Sequence, residues 1–368
     1  MIKICFYNLN SYSIFNPKSK APIGGTEIQL FNITSYLSGK ETFEIFFITG
    51  DWGQEKLEIY GNIKVLKSIN FKKSPLNYLM APWRIWAVLK KTNADIYIAS
   101  SAGIEIGIIA FFCKLNKKKF IYRTAHDIDC TDEFIQSKGL AGLSYKFGLE
   151  NASTVVTQNR RNREMLKKNH NIKAIIIKNS FNIPRQKMIG KKNYILWVSR
   201  GDKWKNPELF LRIVNKFPKY RFIMICPRQK YEDAFFEEIS QKAKKFKNLT
   251  FIEKVPFAKI QKYFNEAKLF IGTSDAEGFP NTYLQACMGY TPVVSYKVNP
   301  DNFINQNNIG YCADGNFEKM LCQIKKLLTD KKDWQEKSKN SFEYLKKNHD
   351  IRKNGPKWQE LIYNLAKK

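Results

Sequence analysis

The sequence predicts an α/β protein built from two doubly wound, Rossmann-like domains that face each other across a cleft. Short β-rich runs alternate with amphipathic helical stretches almost from end to end, which is typical of parallel sheets with helices on both faces. The pattern stops at a polar segment over residues 182–193 and then starts again. A chain of 368 residues is long enough for two domains of ordinary size.

The first array contains six apolar runs that we expect to be buried parallel strands, because their apolar residues are continuous rather than alternating. They are IKICFYN (2–8), FEIFFIT (43–49), ADIYIAS (94–100), KFIYRTA (119–125), STVVTQ (153–158) and KAIIIKN (173–179). Amphipathic helices are expected between them, for example over 26–38 and 139–152. The stretch PRQKMIGKKN that follows has the proline, glycine and charge of a linker. The first domain is therefore predicted to span 1–182.

The second array repeats this pattern over 183–350, the predicted second domain. Its strand candidates are NYILWVS (193–199), RFIMIC (221–226), LTFIE (249–253), KLFIGTS (268–274) and PVVSY (292–296). In doubly wound sheets, ligands bind at the carboxyl ends of the strands. One more helix is expected over 351–368, where it could pack back on the first domain.

The charge balance has two interpretations of equal weight. The chain contains 62 Lys and Arg against 33 Asp and Glu, a formal net charge of +29. This excess favours an anionic partner such as nucleotide phosphates, an acidic membrane surface or nucleic acid. It could equally be solvated surface, since Lys, Asn, Ile and Phe are enriched together, as a codon bias toward A and T would produce.

The cysteines and the apolar runs indicate a cytoplasmic location. Seven cysteines are scattered singly, with no CxxC pair, which argues against a disulfide framework or a thiolate metal site and for a reducing compartment. The N-terminus lacks the apolar core of a signal peptide. GIIAFFC, at 107–113, is too short to span a bilayer.

Two motifs of the first array follow predicted strands. In PIGGTEIQL, Gly24 and Gly25 precede a helix, where backbone amides could approach a phosphate or a sugar oxygen. This signal is weak alone, because paired glycines before a helix are more often a tight turn and the GxGxxG spacing is missing. In RTAHDIDC, His126 and Asp127 end a strand, which favours a place in the cleft over the core position usual for a histidine.

Two motifs of the second array carry charge at strand ends. In VSRGDKWKNPELFL, Arg200 follows a strand directly and Lys205 stands just before a helix, so that both could neutralise a diphosphate. In EGFPNTYLQACMGYTPVVSY, Glu277 precedes a tight Gly-Pro bend and a short helix from Asn281 to Met288. A carboxylate there can accept hydrogen bonds from sugar hydroxyls while the helix N-terminus faces phosphate. Surface charge and a plain loop carboxylate are the alternatives.

The order GG-T-E, His-Asp, R-x4-K and EGFPN…PVVS resembles the retaining nucleotide-sugar glycosyltransferases of family 4, which have the GT-B fold. The resemblance covers nearly the whole chain. It implies a donor diphosphate held by Arg200 and Lys205 and approached by Gly25, with His126 reaching the donor sugar. It also implies that Glu277 contacts the sugar and that Val255 lies near the base. The remaining donor-binding positions implied by the matched block are Gly278, Phe279, Pro280, Asn281, Thr282 and Gln285.

Two positions depart from the family pattern. Gln285 stands where the second carboxylate of the usual E-x7-E contacts ribose hydroxyls. Because an amide both accepts and donates hydrogen bonds, we expect binding with altered strength. Tyr290 stands where the family often has glycine, which questions the local turn from helix to strand.

The resemblance implies transfer of a sugar from a nucleoside-diphosphate sugar with retention of configuration. No second carboxylate stands out as a nucleophile, which favours same-face attack. DID at 127–129 has the letters of a metal motif but lies in the first domain, so neither a metal nor another cofactor is expected. A sugar-nucleotide epimerase or a catalytically silent relative on the same fold is an alternative. A nucleic-acid-binding protein is a further one, disfavoured because the sequence contains no recognised binding module.

The acceptor is predicted to be a glycan or a lipid-linked saccharide, as in bacterial surface polysaccharide assembly. The segment 71–91 carries five basic residues, no acidic one and four interleaved aromatic residues, Phe71, Tyr78, Trp83 and Trp86. Such a segment can lie in an anionic membrane interface. A core-packed helix with a solvated lysine fringe is an equally weighted alternative.

Overall fold

A computed structural model describes residues 1–71, 76–184, 190–228 and 233–367. Lys72, Lys73 and the side chain of Tyr78, which belong to the basic aromatic segment, lie outside the described residues, as do linker residues 185–189. The chain forms two compact units. The first unit combines Met1–Asn182 with Asp350–Lys368, and the second unit is Ile183–His349.

The first unit is an α/β sheet flanked by helices. Its strands are β1 (Ile2–Tyr7), β2 (Phe43–Thr49), β3 (Leu57–Tyr60), β4 (Ile63–Lys67), β5 (Ile96–Ser100), β6 (Lys119–Arg123), β7 (Thr154–Thr157) and β8 (Ile175–Ile176). Its first seven helices are α1 (Tyr12–Phe15), α2 (Gly25–Ser38), α3 (Leu76–Thr92), α4 (Ile104–Leu115), α5 (Glu133–Ser137), α6 (Gly139–Glu150) and α7 (Arg160–His170). A 3-10 turn covers Asp127–Cys130.

The sheet of the first unit is parallel apart from one hairpin. Its order is β3-β4-β2-β1-β5-β6-β7-β8, and only β3 runs antiparallel to its neighbour among the described strands. The buried centres of β1 and β5 consist of apolar residues. One face of the sheet carries Ile4, Phe6, Ile96 and Ile98, which pack in one apolar cluster. The hairpin β3–β4 was not expected from the sequence. It turns at Gly61, whose φ of +58° suits glycine.

The second unit repeats the architecture with a smaller sheet. Its strands are β9 (Tyr194–Val198), β10 (Phe222–Ile225), β11 (Leu249–Ile252), β12 (Ala267–Gly272), β13 (Val293–Ser295) and β14 (Gly310–Cys312). Its helices are α8 (Pro207–Lys216), α9 (Asp233–Lys244), α10 (Phe257–Glu266), α11 (Asn281–Met288), α12 (Phe303–Gln306), α13 (Phe317–Thr329) and α14 (Lys331–Asn348). Short 3-10 turns cover Lys203–Lys205 and Pro300–Asn302. The sheet is parallel in the order β11-β10-β9-β12-β13-β14.

The last helix, α15 (Ile351–Ala366), belongs to the first unit. Its N-cap residue is Asp350, whose side chain accepts a hydrogen bond from the Arg352 amide. Trp358 and Ile362 are buried in the same apolar cluster as β1 and β2. Gly355 lies so close to the Tyr36 ring of α2 that a Cβ would stand 2.6 Å from it. The helix therefore packs on α2 through a contact that excludes a larger residue.

The two-domain α/β class expected from the sequence is confirmed. Among the described residues, no helix is long and apolar enough to cross a membrane.

Candidate active site

The order of strands in the second unit brings two distant loops together. Strands β9 and β12 are neighbours, and the chain proceeds outward from β9 through β10 to β11 and from β12 through β13 to β14. The point where the direction of strand order reverses is where open α/β sheets bind ligands, outside the carboxyl ends of the strands. The loop after β9 carries Arg200 and Lys205, and the loop after β12 carries Glu277. The three charged residues singled out in this unit therefore lie at its switch point.

Hydrogen bonds hold these two loops against each other. The Thr273 hydroxyl donates to the Lys205 carbonyl at 2.6 Å, and the Asp275 amide donates to the Trp204 carbonyl at 3.0 Å. The Asn206 side chain donates to the Thr273 carbonyl at 3.2 Å from a left-handed backbone with φ +50°, a conformation that asparagine tolerates. These hydrogen bonds fix the backbone of the loop after β9 against the backbone of the loop after β12.

Lys205 and Glu277 form a largely buried ion pair between Nζ and Oε1, with side chains only 9% and 19% exposed. The Ser274 hydroxyl donates to the same Oε1 at 3.2 Å. The Lys205 ammonium also stands 3.6 Å from the centre of the Trp204 ring, a distance at which a cation is attracted to the aromatic face. Within the described part of the chain, no group donates to Oε2 of Glu277. One oxygen of this carboxylate is therefore available to a ligand hydroxyl.

The environment of Lys205 is poor for a cation despite its partner. Burial lowers the pKa of the Lys205 ammonium, the positive charge of Arg200 lowers it further, and the Glu277 carboxylate opposes both. The net direction is down. An anionic ligand beside Lys205 and Arg200 would favour the charged form.

Arg200 is more accessible than Lys205. Its side chain is 44% exposed and its guanidinium forms an ion pair with Asp202 at 2.9 Å. The guanidinium carbon lies 6.0 Å from the centre of the Trp204 ring. Asp202 and Trp204 thus orient the guanidinium, and a planar group with five donors retains capacity for a phosphate.

The segment after Glu277 is mostly buried. Phe279 is 8% exposed and its ring lies 4.8 Å from the Phe303 ring and 5.2 Å from the His349 ring, centre to centre. This packing turns the Phe279 side chain into the core, so that only its backbone could contact a donor. Gly278 and Pro280 are buried as well.

Helix α11 starts where the sequence predicted, at Asn281. Its N-cap residue is Pro280, whose side chain accepts no hydrogen bond from the first turn. Asn281 and Thr282 of that turn are half-buried. Gln285 is 6% exposed, and its carbonyl accepts a hydrogen bond from Gln261. A helix N-terminus at the carboxyl edge of a sheet is suited to an anion.

Two further positions in this unit were singled out. Val255 is half-buried in the loop between β11 and α10. Tyr290 adopts φ +54°, a conformation that favours glycine, and its ring stacks on Phe342 at 4.3 Å. The turn expected for glycine is therefore kept, with the aromatic stack as a compensating contact.

In the first unit, the corresponding switch point lies between β1 and β5. The stretch containing Gly24 and Gly25 follows β1 and leads into α2, and the Ser101 hydroxyl after β5 donates to the Thr26 hydroxyl at 3.4 Å. The Gly24 amide already donates to the Glu27 carboxylate at 2.8 Å, which a Cβ at Gly24 would crowd. A side chain at position 24 would therefore have to displace the Glu27 carboxylate.

His126 is positioned by Asp129, a residue to which no role was assigned from the sequence. Asp129 is 2% exposed and accepts hydrogen bonds from the amides of Ala125 at 2.6 Å and His126 at 3.1 Å. Burial raises the pKa of the Asp129 carboxyl, and those two amides oppose the shift. Asp127 instead accepts from Asn162 at 2.8 Å. Both carboxylates of the DID stretch thus have protein partners.

Trp204 and Thr273 complete the two loops of the second unit, and Asp129 supports His126 in the first unit. No role was assigned to these three residues from the sequence. Trp204 lies inside the RGDKWKN motif, and its position between basic residues of that motif was the sequence signal that could have indicated its role. Thr273 and Asp129 act on residues whose proximity depends on the folded loops, which spacing does not reveal.

About half of the chain resembles a known family. Residues 179–358 match the model described as glycosyl transferases group 1. This part of the chain is similar to group 1 glycosyltransferases. The matched residues include the ion pair, Arg200 and α11.

Similarity to individual proteins extends beyond the residues that match the family model. The O-antigen biosynthesis glycosyltransferase WbnH of Escherichia coli is 24% identical over 285 residues, covering 75% of this chain and 78% of that protein. Sucrose-phosphate synthase of Thermosynechococcus elongatus has a TM-score of 0.81 at 14% identity, with 99% of both chains covered. HepE of Anabaena, in complex with UDP and glucose, has a TM-score of 0.75 at 14% identity, covering 99% of this chain and 100% of that one. The expected GT-B fold is thereby confirmed.

Proposed function

We propose that this glycosyltransferase moves a hexosyl group, with retention, from a nucleoside-diphosphate sugar to a hydroxyl of a glycan or lipid-linked saccharide in cell-surface polysaccharide assembly. The observation that carries the proposal is the buried Lys205–Glu277 pair beside Arg200 at a sheet switch point. The name of the relative WbnH supports the O-antigen type of pathway, and the UDP complex of HepE supports a nucleotide donor.

Arg200 and Lys205 are assigned to the donor diphosphate. As the bond between the anomeric carbon and the leaving phosphate oxygen breaks, its electron pair passes to the phosphate, and two fixed cations stabilise the developing charge. The N-terminus of α11, at Asn281 and Thr282, adds backbone donors to the same anion. This arrangement supplies positive charge from side chains, and we propose that transfer needs no metal ion.

Glu277 is assigned to the donor sugar. Its Oε1 is held by Lys205 and Ser274, so Oε2 is the oxygen offered to sugar hydroxyls. A carboxylate neutralised by an ammonium is a weak nucleophile, which favours same-face attack over a covalent glycosyl-enzyme. In that step the acceptor oxygen bonds to the anomeric carbon, and its proton passes to the leaving phosphate oxygen.

The remaining assignments follow the family resemblance. We propose that His126, held by Asp129, contacts the donor sugar and that Gly24 and Gly25 let backbone approach the donor. Val255 is assigned to the base and Gln285 to the ribose. Gly278, Phe279 and Pro280 act through backbone, because the Phe279 ring is packed inward. We place the reaction on the cytoplasmic side, which suits the buried free thiols.

The first test is a thermal-shift screen with UDP, GDP, ADP, CDP and TDP. At a concentration about 100-fold above Kd, binding adds about 2.7 kcal/mol. In a unit of this size, each kcal/mol of stabilisation raises the melting temperature by about 2–4 °C. The correct diphosphate should therefore raise the melting temperature by roughly 5–10 °C. No shift with any of them would contradict the donor assignment.

The second test separates a transferase from the alternatives. With the matching nucleotide sugar, a transferase releases nucleoside diphosphate only when an acceptor is added, whereas an epimerase changes the sugar without acceptor. The anomeric configuration of the product, measured by NMR, tests retention. Full activity after exhaustive EDTA treatment is expected, and loss restored by a divalent cation would refute metal independence.

A further inference from the structure

The exposed large apolar side chains are distributed unevenly between the two units. Among the described residues they all lie in the first unit, and seven of them lie on three helices, α3, α4 and α6. These are Leu79 (71% exposed), Met80 (46%), Trp83 (71%), Phe111 (48%), Leu115 (60%), Leu140 (81%) and Leu143 (60%). We call this set the apolar face.

The apolar face is continuous across the three helices. Helix α4 packs against both α3 and α6. The ring of Phe111 on α4 lies 6.0 Å from the ring of Trp86 on α3 and 6.2 Å from the ring of Phe147 on α6, centre to centre. Within α3, the four-residue spacing of Leu79 and Trp83 places both on one side of the helix. The opposite side, with Ile85 and Leu89, is buried in the core.

Positive charge accompanies the apolar face. Helix α3 carries Arg84, Lys90 and Lys91, all exposed, and has no acidic residue. Lys114 on α4 and Lys146 on α6 are exposed as well, while the acidic residues of these two helices are Glu105 and Glu150. A surface that combines tryptophan, leucine and basic side chains is typical of proteins lying in a membrane interface.

We propose that the apolar face docks on the surface of a bilayer containing anionic phospholipid. Its apolar side chains enter the interface, and its basic residues meet the lipid phosphates. Charge complementarity selects this occupant over a second copy of the chain, because two copies would bring the same cations together. The interface extends beyond the segment 71–91 to α4 and α6. Access to a lipid-linked acceptor is a consequence that rests on the proposed function, whereas docking itself does not.

The test is co-sedimentation of the full chain with phosphatidylcholine vesicles, alone or mixed with phosphatidylglycerol. The parent should bind only the mixed vesicles and should leave them as salt rises. A triple variant, Trp83→Gln, Phe111→Gln and Leu143→Gln, removes one exposed apolar side chain from each helix and should bind at least tenfold more weakly. The matched control is Leu57→Gln with Ile59→Gln, two residues of β3 that are 45% and 68% exposed, and it should bind like the parent.

A charge variant tests the second component of the proposal. Replacing Arg84, Lys90 and Lys91 with Gln should weaken binding by about a hundredfold, which corresponds to about 1 kcal/mol for each basic residue near an anionic surface. The matched control replaces three exposed lysines of α14, Lys331, Lys332 and Lys339, with Gln and should change binding little.

Three outcomes would overturn the proposal: a parent that does not bind mixed vesicles, a triple variant that binds like the parent, or controls that lose as much binding as the variants. Gel filtration adds a fourth. A parent dimer that the triple variant converts to monomer would make the apolar face an interface between copies of the chain. Circular dichroism melting of each variant verifies that it is folded.

Discussion

A double-mutant cycle on Lys205 and Glu277 tests the assignment of the two residues directly. The variants are Lys205→Met, Glu277→Gln and their combination, with Glu318→Gln, an exposed carboxylate on α13, as control. Because the side chains are only 9% and 19% exposed, the pair is expected to couple more strongly than a surface ion pair, by about 1–3 kcal/mol in unfolding free energy.

The two single variants should differ in their effect on ligands. Lys205→Met removes a charge-assisted contact to phosphate, so affinity for the nucleoside diphosphate should fall by about 1.5–3 kcal/mol, roughly 10- to 150-fold. Glu277→Gln replaces the charged acceptor proposed for the sugar hydroxyls with a neutral amide, so transfer should fall far more than nucleoside diphosphate affinity. Isothermal titration with the diphosphate selected by the thermal-shift screen, and initial transfer rates, measure the two effects separately.

The pH at which nucleotide binding is lost should differ between the parent and Glu277→Gln. A purely structural role of the ion pair would not produce this difference. Burial holds the pKa of Lys205 below its ordinary value, and Glu277 opposes that shift. Removing the carboxylate lowers the pKa of Lys205 further. Since phosphate binding needs the charged ammonium, binding is lost as pH rises through this pKa, and the loss should occur at lower pH in Glu277→Gln than in the parent.

Two results would refute this reasoning. The first is a Lys205→Met variant that binds nucleoside diphosphate and turns over like the parent. The second is a Glu277→Gln variant that loses nucleoside diphosphate affinity as severely as transfer, which would reassign the carboxylate to the phosphate or ribose. Parent-like behaviour of Glu318→Gln is required in both comparisons.

Three further predictions concern the surroundings of the site. Tyr290→Gly should be more stable than Tyr290→Ala by about 1 kcal/mol in chemical denaturation, because glycine, unlike alanine, adopts φ +54° without strain; equal stability would exclude backbone strain. Phe279→Ala should destabilise the second unit by about 3 kcal/mol yet keep the nucleoside diphosphate affinity of the folded fraction, and a large affinity loss would place its ring in the site. Asp129→Ala should lower the stability of the first unit by about 3 kcal/mol and reduce turnover, because the amides of Ala125 and His126 lose their acceptor; Asp129→Asn should lose less, and an unchanged Ala variant would contradict the buttressing role.

The fold was largely predictable from the sequence because most strands are continuous apolar runs. Strands β1, β2, β5 and β6 of the first unit fall inside the predicted runs, and α11 has the predicted bounds. The hairpin β3–β4 was missed because the edge strand β3 exposes Leu57 and Ile59, and because Lys64 interrupts the buried apolar residues of β4. Strand β14 was missed because three residues beginning at Gly310 carry no recognisable pattern.

The site was predictable in part, for a related reason. Arg200, Lys205 and Glu277 could be singled out because each stands near the end of an apolar run. Their pairing could not, because Lys205 and Glu277 are 72 positions apart and meet only since β12 lies directly beside β9. Strand order is a property of the sheet and does not follow from the periodicity of any one strand. The same limitation hid the role of Thr273, which links the two loops.

The cost of burying Lys205 argues that the pair serves binding rather than stability. Replacing a buried ion pair with apolar residues of similar volume is often neutral or stabilising, so such a pair is weak evidence for a structural role. Here the cost is visible, because burial and Arg200 both depress the pKa of Lys205. The Trp204 ring and the Glu277 carboxylate nevertheless hold the ammonium in place. The Thr273 hydroxyl fixes the backbone of the same residue by donating to the Lys205 carbonyl. Titratable groups held in such unfavourable environments concentrate at functional sites. An arriving diphosphate would compensate the two cations and leave Oε2 of Glu277 for the sugar, so the feature that is unfavourable in the free protein becomes favourable when the donor binds.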